Sequence, residues 1–233
     1  MSEDRTVFHK RQAAEAAVAL VELGMAVGLG TGSTAAFAVA ALGARVAAGL
    51  SVRAIPTSEA TAQAARRAGI PLADFATLER LDLTIDGADA VLPGALHLVK
   101  GLGGALLREK IVAAASARMV VIADASKLVS GLGGQGAVPV PVEVVAFGWQ
   151  ATAARLESLG LAARLRRDAQ GAPFVSDGGN LILDCAAPAM ADPAAWAARI
   201  KAETGVIETG LFIGLASEAM IAGPDGLRRL VRG

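Results

Sequence analysis

Charged residues in and just after two glycine-containing turns carry most of the chemistry this chain can offer. Asp86-Gly87-Ala88-Asp89 is a tight turn able to point two carboxylates into one crevice. Like charges held close raise one pKa, so one group can keep a proton and act as an acid. Alone, the same four residues also suit an Asx turn that satisfies its own backbone. Lys100 opens the glycine loop Gly101-Leu102-Gly103-Gly104. A lysine beside such a loop can hold a developing oxyanion, helped by loop N–H groups. Glu109 follows within Arg108-Glu109-Lys110 and can shuttle a proton as general base. In isolation that triplet also reads as a solvated helix face.

A second glycine loop, Gly28-Leu29-Gly30-Thr31-Gly32-Ser33-Thr34, follows an apolar run and opens an alanine-rich segment. Glycines let N–H groups approach an anion, a helix N-terminus adds positive potential, and Thr31, Ser33 and Thr34 add hydroxyls. A Walker loop would need a lysine, which is missing. The dinucleotide fingerprint would need a third glycine where Ser33 stands, and an acidic residue where Ile55-Pro56-Thr57-Ser58 stands. A small phosphorylated ligand therefore fits better than NAD; the plain alternative is a strand-to-helix turn with hydroxyl caps. Asp124-Ala125-Ser126-Lys127 ends a further apolar run, and Lys127 could reach the same cleft.

These groups need a scaffold that gathers strand ends. Up to about residue 131, short apolar runs alternate with longer helical segments: Met25–Gly28, Val52–Ile55, Leu81–Ile85, Leu96–Val99 and Met119–Ala123 against 33–42, 58–68 and 104–115. Such alternation implies an α/β fold, a Rossmann-like, mostly parallel open sheet with helices on both faces. On this reading the chemical groups line the carboxyl edge, where such sheets bind ligands. Gly131-Leu132-Gly133-Gly134-Gln135-Gly136 reads as a linker or hinge. Residues 142–208 then follow the order β-α-β-β-α-β, a small ferredoxin-like α+β unit. The expected division is 1–131 with 210–233 in the larger domain and 132–209 in the smaller. The tail, 211–231, reads as a strand and a helix returning to the first sheet.

Composition removes several classes. Of 233 residues, 54% are hydrophobic, so disorder is excluded. Lys+Arg and Asp+Glu are 22 each, leaving no basic field for nucleic acid, and aromatics at 3% offer few stacking platforms. One cysteine, Cys185, permits no internal disulfide, which fits a reducing, cytoplasmic setting. Met1-Ser2-Glu3-Asp4-Arg5 is acidic where a secretory leader is basic. Leu23–Ala44 is uncharged, but glycines and hydroxyls at its centre argue against a membrane span. His9 and His97 lack ligand spacing with Cys185, so no metal site is expected.

In this order and spacing, the Gly28–Thr34, Ile55–Ser58, Asp86–Asp89, Lys100–Lys110 and Asp124–Lys127 segments, with Ser176-Asp177-Gly178-Gly179-Asn180 more loosely, resemble ribose-5-phosphate isomerase of the A type over essentially the whole chain. The resemblance implies interconversion of ribose 5-phosphate and ribulose 5-phosphate through an enediol(ate), without metal or organic cofactor, in a homodimer. By it, Glu109 moves the proton, Asp86 assists ring opening with Asp89 close by, and Lys100 with the Gly101–Gly104 amides holds the oxyanion. Thr31, Gly32, Ser33, Thr34, Gly87, Ala88, Asp89, Gly101, Leu102 and Gly103 would line the substrate pocket, with charge from Lys127 and Lys10. Which groups hold phosphate and which hold sugar hydroxyls stays open. The chain departs from the pattern at Ala90, Leu102 and Gly178, and in a longer turn between Asp89 and Lys100. A sugar-phosphate sensor and another sugar-phosphate isomerase of this fold are the competing readings. A sensor would want a DNA-binding helix-turn-helix, whereas one helix precedes the first strand.

Overall fold

The computed structural model describes residues 2–233; Met1 of the acidic stretch lies outside them. In chain order the elements are α1 (Ser2–Val18), β1 (Ala26–Leu29), α2 (Ala35–Ala47), β2 (Arg53–Pro56), α3 (Glu59–Arg67), β3 (Leu81–Gly87), β4 (Ala90–Leu92), β5 (His97–Val99), α4 (Leu106–Ala114) and β6 (Ser116–Asp124). They continue through β7 (Val140–Val144), α5 (Trp149–Ser158), β8 (Ala162–Leu165), β9 (Leu181–Ala186), α6 (Pro193–Lys201), β10 (Val206–Thr209), β11 (Leu211–Phe212), β12 (Glu218–Gly223) and β13 (Gly226–Val231). Among the described residues, no helix is long and apolar enough to cross a membrane.

The main sheet has six strands in the order β13-β12-β6-β3-β1-β2. All neighbours are parallel except β13, which pairs antiparallel with β12. The continuous apolar run of β6 is explained by burial on both faces. Side chains alternate along a strand: Val120 and Ile122 pack with small alanines of α1 and α2. Met119, Val121 and Ala123 face the other way, onto Val91, Leu98 and Phe212. That second layer is a three-stranded antiparallel sheet, β11-β5-β4.

The third sheet is antiparallel with the order β10-β7-β9-β8, the ferredoxin-like arrangement. Val140, Val142, Val144, Leu183 and Cys185 form one face and pack against Leu156 of α5 and Ile200 of α6, with Trp149 and Trp196 half-buried beside them. α4 packs on β7 and β10. Local signals set the helix starts: the Ser58 hydroxyl accepts from the Thr61 N–H at 3.1 Å, and Asp192 accepts from Ala195 N–H at 3.0 Å ahead of Pro193.

Two expected elements differ. The tail has no helix: β12 returns to the main sheet and β13 folds back on it through Gly223–Gly226. Leu227, Leu230 and Val231 have helical spacing, but the Pro224-Asp225-Gly226 turn commits them to a hairpin. The run ending at Lys100 is β5, which belongs to the three-stranded sheet rather than to the parallel one. Lys100 therefore reaches the cleft from a different layer than Asp86. The four-stranded and three-stranded sheets meet at Gly210. Its N–H donates to Pro141 O at 2.6 Å, and its carbonyl accepts from Lys100 N–H at 2.9 Å. A Cβ there would lie 2.8 Å from Pro141 Cδ and 3.0 Å from the Pro141 carbonyl oxygen, so only glycine fits.

Candidate active site

Asp86, Lys100 and Glu109 meet at the floor of one cleft and are 0%, 2% and 3% exposed. Asp86 ends β3; its Oδ1 accepts from Gly87 N–H at 2.7 Å and Thr31 N–H at 3.2 Å. Lys100 Nζ lies 2.9 Å from Asp86 Oδ2 and 3.2 Å from Glu109 Oε1, and donates to Gly87 O at 2.6 Å. Glu109 sits in the first turn of α4, where the helix N-terminus favours negative charge. Its Oε2 is buried without a hydrogen-bond partner among the described residues. The Arg108-Glu109-Lys110 triplet is thus no solvated face, since Lys110 also turns inward. It pairs with Glu208 at 2.9 Å and donates to the carbonyls of Thr209 and Leu211. The Phe212 ring lies 5.4 Å from the Lys100 ammonium and 4.9 Å from that of Lys110.

Two carboxyls share one ammonium at this floor, so full ionisation would leave a net buried negative charge. Burial first, and the Asp86 charge second, push Glu109 up to about 8 against the pull of Lys100. Asp86 is raised as well, because burial outweighs Lys100 and the backbone donors. Burial by itself would lower Lys100; Asp86 and then Glu109 override it and hold the ammonium above its ordinary value. The result is a fixed cation beside a carboxyl poised to lose or gain a proton near neutral pH.

Above this floor, the cleft wall holds Lys10, Thr31, Gly32, Ser33, Thr34, Gly87, Ala88, Asp89, Gly101, Gly103 and Lys127. Lys10 Nζ donates to Ser33 Oγ at 3.0 Å across the start of α2. Thr34 precedes α2 without a side-chain cap bond; the Ala36 N–H donates to Gly32 O at 3.0 Å and the Phe37 N–H to Thr34 O at 3.1 Å, and the helix N-terminus keeps its positive potential toward the cleft. Lys127 ends a single turn at 125–127, started by Asp124, which accepts from Ser126 N–H at 3.0 Å.

Two residues of the expected pocket lie elsewhere. Asp86 is beneath the wall, reaching it through Lys100. The Leu102 side chain is outside it and 42% exposed. Gly101 and Gly104 have φ of +105° and +85°, whereas Leu102 has no positive φ, so that position tolerates a side chain. Gly30 serves packing: a Cβ there would come within 2.6 Å of Asp86 Cα. The Thr31 hydroxyl turns inward to Thr57 at 2.7 Å, Ser58 at 2.8 Å and Thr61 at 3.1 Å. Those three supporting hydroxyls were absent from the expected site; the one signal for them was Thr57-Ser58 closing a strand ahead of a helix.

The chain matches the family model of ribose 5-phosphate isomerase A (phosphoriboisomerase A) over residues 53–226. It is 55% identical over 222 residues to ribose-5-phosphate isomerase A of Synechococcus sp. (strain JA-3-3Ab), covering 95% of this chain and 96% of the relative. It is 57% identical over 221 residues to that of Gloeobacter violaceus, covering 95% of each. Among solved structures it is similar to ribose 5-phosphate isomerase A of Methanocaldococcus jannaschii, with TM-score 0.92, 35% identity and 100% of both chains covered. It is also similar to a D-ribose-5-phosphate isomerase solved with phospho-erythronic acid, with TM-score 0.92, 34% identity and 97% of this chain and 98% of the other covered.

Proposed function

Because the chain belongs to the ribose-5-phosphate isomerase A family, and is thereby the aldose–ketose isomerase of ribose 5-phosphate and ribulose 5-phosphate, we propose that Glu109 carries the proton between C2 and C1. The observation that supports this is the Glu109 carboxyl itself, at the cleft floor: Oε1 is held by Lys100, and Oε2 is buried without a hydrogen-bond partner among the described residues. Ionised Glu109 takes the C2 proton of the open-chain aldose. The electron pair moves onto the C1 oxygen, which Lys100 and the N–H groups of the glycine loop stabilise. The same carboxyl then returns the proton to C1, while the proton of the C2 hydroxyl passes to the C1 oxygen as the new C2 carbonyl forms. Asp86 and Asp89 serve ring opening and the proton traffic among the sugar oxygens.

Lys10, Ser33, Thr34, the positive N-terminal end of α2 and Lys127 take the phosphate, because they gather cations and hydroxyl donors away from the floor. Holding the phosphate there positions C1 and C2 against Glu109, so remote binding energy serves the reacting carbons. The reading needs no metal or organic cofactor. We place the chain in the cytoplasm, where its one cysteine, buried Cys185 with its thiol pushed up to about 12 by burial, stays reduced. A homodimer belongs to the proposal too: Phe147 is 94% exposed and gains cover against a second copy.

Glu109→Gln tests the proton role. Turnover of ribose 5-phosphate falls by about two orders of magnitude or more, as for loss of a general base. Deuterium uptake from heavy water at C1 of the ketose is lost with it, and the far-ultraviolet dichroism is unchanged. Turnover near that of the parent enzyme rejects the assignment.

A further inference from the structure

Arg166 follows β8 in the small antiparallel sheet, outside the cleft wall, yet it reaches the glycine loop from behind. Its Nη1 donates to Gly101 O at 2.9 Å and to Leu102 O at 3.0 Å. On the other side of the guanidinium, Nε donates to Asp184 Oδ2 at 2.9 Å and Nη2 to Asp184 Oδ1. The Phe174 ring packs on the guanidinium at 5.9 Å and fills the space a Cβ of Gly104 would need. The Arg166 backbone is itself fixed, donating to Ile182 O at 2.8 Å and accepting from Phe174 N–H at 2.9 Å.

A trans peptide carries its N–H opposite its carbonyl. With the Gly101 carbonyl turned back to Arg166, the Leu102 N–H points forward and donates to Asp89 Oδ2 at 3.0 Å. With the Leu102 carbonyl also turned back, the Gly103 N–H points forward, and Gly103 lines the cleft. Peptides rich in glycine rotate easily, and without an anchor this pair could flip, showing a carbonyl to a developing negative charge. Arginine suits the task because its planar fork supplies donors to two carbonyls and one carboxylate at once.

We propose that Arg166 is a positioning residue for the isomerisation: its guanidinium pins the Gly101 and Leu102 carbonyls so that the Gly103 N–H faces the enediolate oxygen. The proposal rests on the reading of the glycine loop as the oxyanion cradle. Arg166 binds no substrate, so its loss acts on the transition state and spares ground-state affinity.

Steady-state kinetics with ribose 5-phosphate test it. Arg166→Ala lowers kcat roughly ten- to a hundredfold, below the loss for deleting an oxyanion donor outright, and leaves KM within about twofold. Guanidinium ion at a sub-denaturing concentration restores part of the lost kcat, and sodium chloride at equal ionic strength restores none. Arg167→Ala, altering an exposed neighbour whose guanidinium bonds Gly171 O at 2.7 Å, stays at the parent rate. An Arg166→Ala enzyme with parent kcat, a loss confined to KM, or a kcat loss that guanidinium leaves untouched overturns the proposal. If Arg166→Ala does not melt cooperatively, Arg166→Lys carries the test, since it keeps stem and charge but cannot span both carbonyls. It is expected to lose kcat about tenfold at constant KM, and parent kcat overturns the proposal. Glu109→Gln measured alongside separates the two readings: parent turnover in that variant overturns the proton-transfer reading of this cleft, whereas its loss with an intact Arg166→Ala overturns only the role of Arg166.

Discussion

At the floor of the cleft, Asp86, Lys100 and Glu109 are at most 3% exposed, within 3.2 Å of one another along the Lys100 ammonium. At the rim, Lys10 and Lys127 are half-buried, and Lys10 donates to the Ser33 hydroxyl. The floor groups are desolvated and interlocked, so changing one alters the charge state of the others. The rim groups keep part of their water and act singly. The difference separates tasks that need different electrostatics. Proton transfer needs shifted pKa values, which only burial and close charges provide. Anchoring a phosphate needs donors that shed water readily on binding and regain it on release.

Breaking the floor gives the largest effect. Lys100→Met leaves two buried carboxyls without a counter-ion, so kcat falls about a thousandfold and unfolding in urea shows a loss of about 3–5 kcal/mol. A variant with full stability and activity would show that the floor is not an interlocked unit.

The pH profile sharpens the same contrast. In the proposed role Glu109 works as a base when ionised, so kcat/KM is expected to climb with pH and level off above about 8. The Asp86 charge is the second cause of that elevation, so Asp86→Asn moves the inflection to lower pH in whatever activity remains. Stability runs the other way. Folded Glu109 keeps a proton that the unfolded chain gives up near the ordinary 4.5, so the folded state loses stability as pH rises from there to about 8. Glu109→Gln removes this slope, and its melting temperature rises relative to the parent across that window. A constant difference between the two melting curves from acid to alkaline pH would contradict the assignment.

The rim gives the smallest effect. Lys10→Ala raises KM about tenfold and leaves kcat within twofold, as for a group that binds ground and transition states alike. The penalty shrinks in high salt, because a half-exposed charge is screened. A kcat loss comparable to that of Lys100→Met would erase the distinction between floor and rim.

Much of this was legible in sequence because an open parallel sheet gathers its loops at one edge. Gly28–Thr34, Asp86–Asp89 and Asp124–Lys127 follow β1, β3 and β6, and each turn signal directly follows an apolar run. What was not legible depends on partners distant along the chain. Lys100 reads as the end of another parallel strand, but its short run pairs with Leu211-Phe212, far along the chain. Arg166 carries no local signal, since its carbonyl partners lie in the loop between β5 and α4, far along the chain. The Thr31 hydroxyl reads as a ligand donor, and only tertiary packing shows it closed onto Thr57, Ser58 and Thr61. The final hairpin escaped because Leu227, Leu230 and Val231 mimic a helical stripe.

The main-chain junction at Gly210 bears on how this molecule can be cut and rebuilt. One residue links β7, through its N–H, to the backbone of Lys100, through its carbonyl. The ferredoxin-like unit is therefore no appendage that could be excised, swapped or hinged open while Lys100 stays in register. Shortening the chain to the six-stranded sheet would remove the clamp that sets the height of the ammonium. Inserted sequence is tolerated at turns remote from this seam, such as the one joining β12 to β13, and not at residue 210.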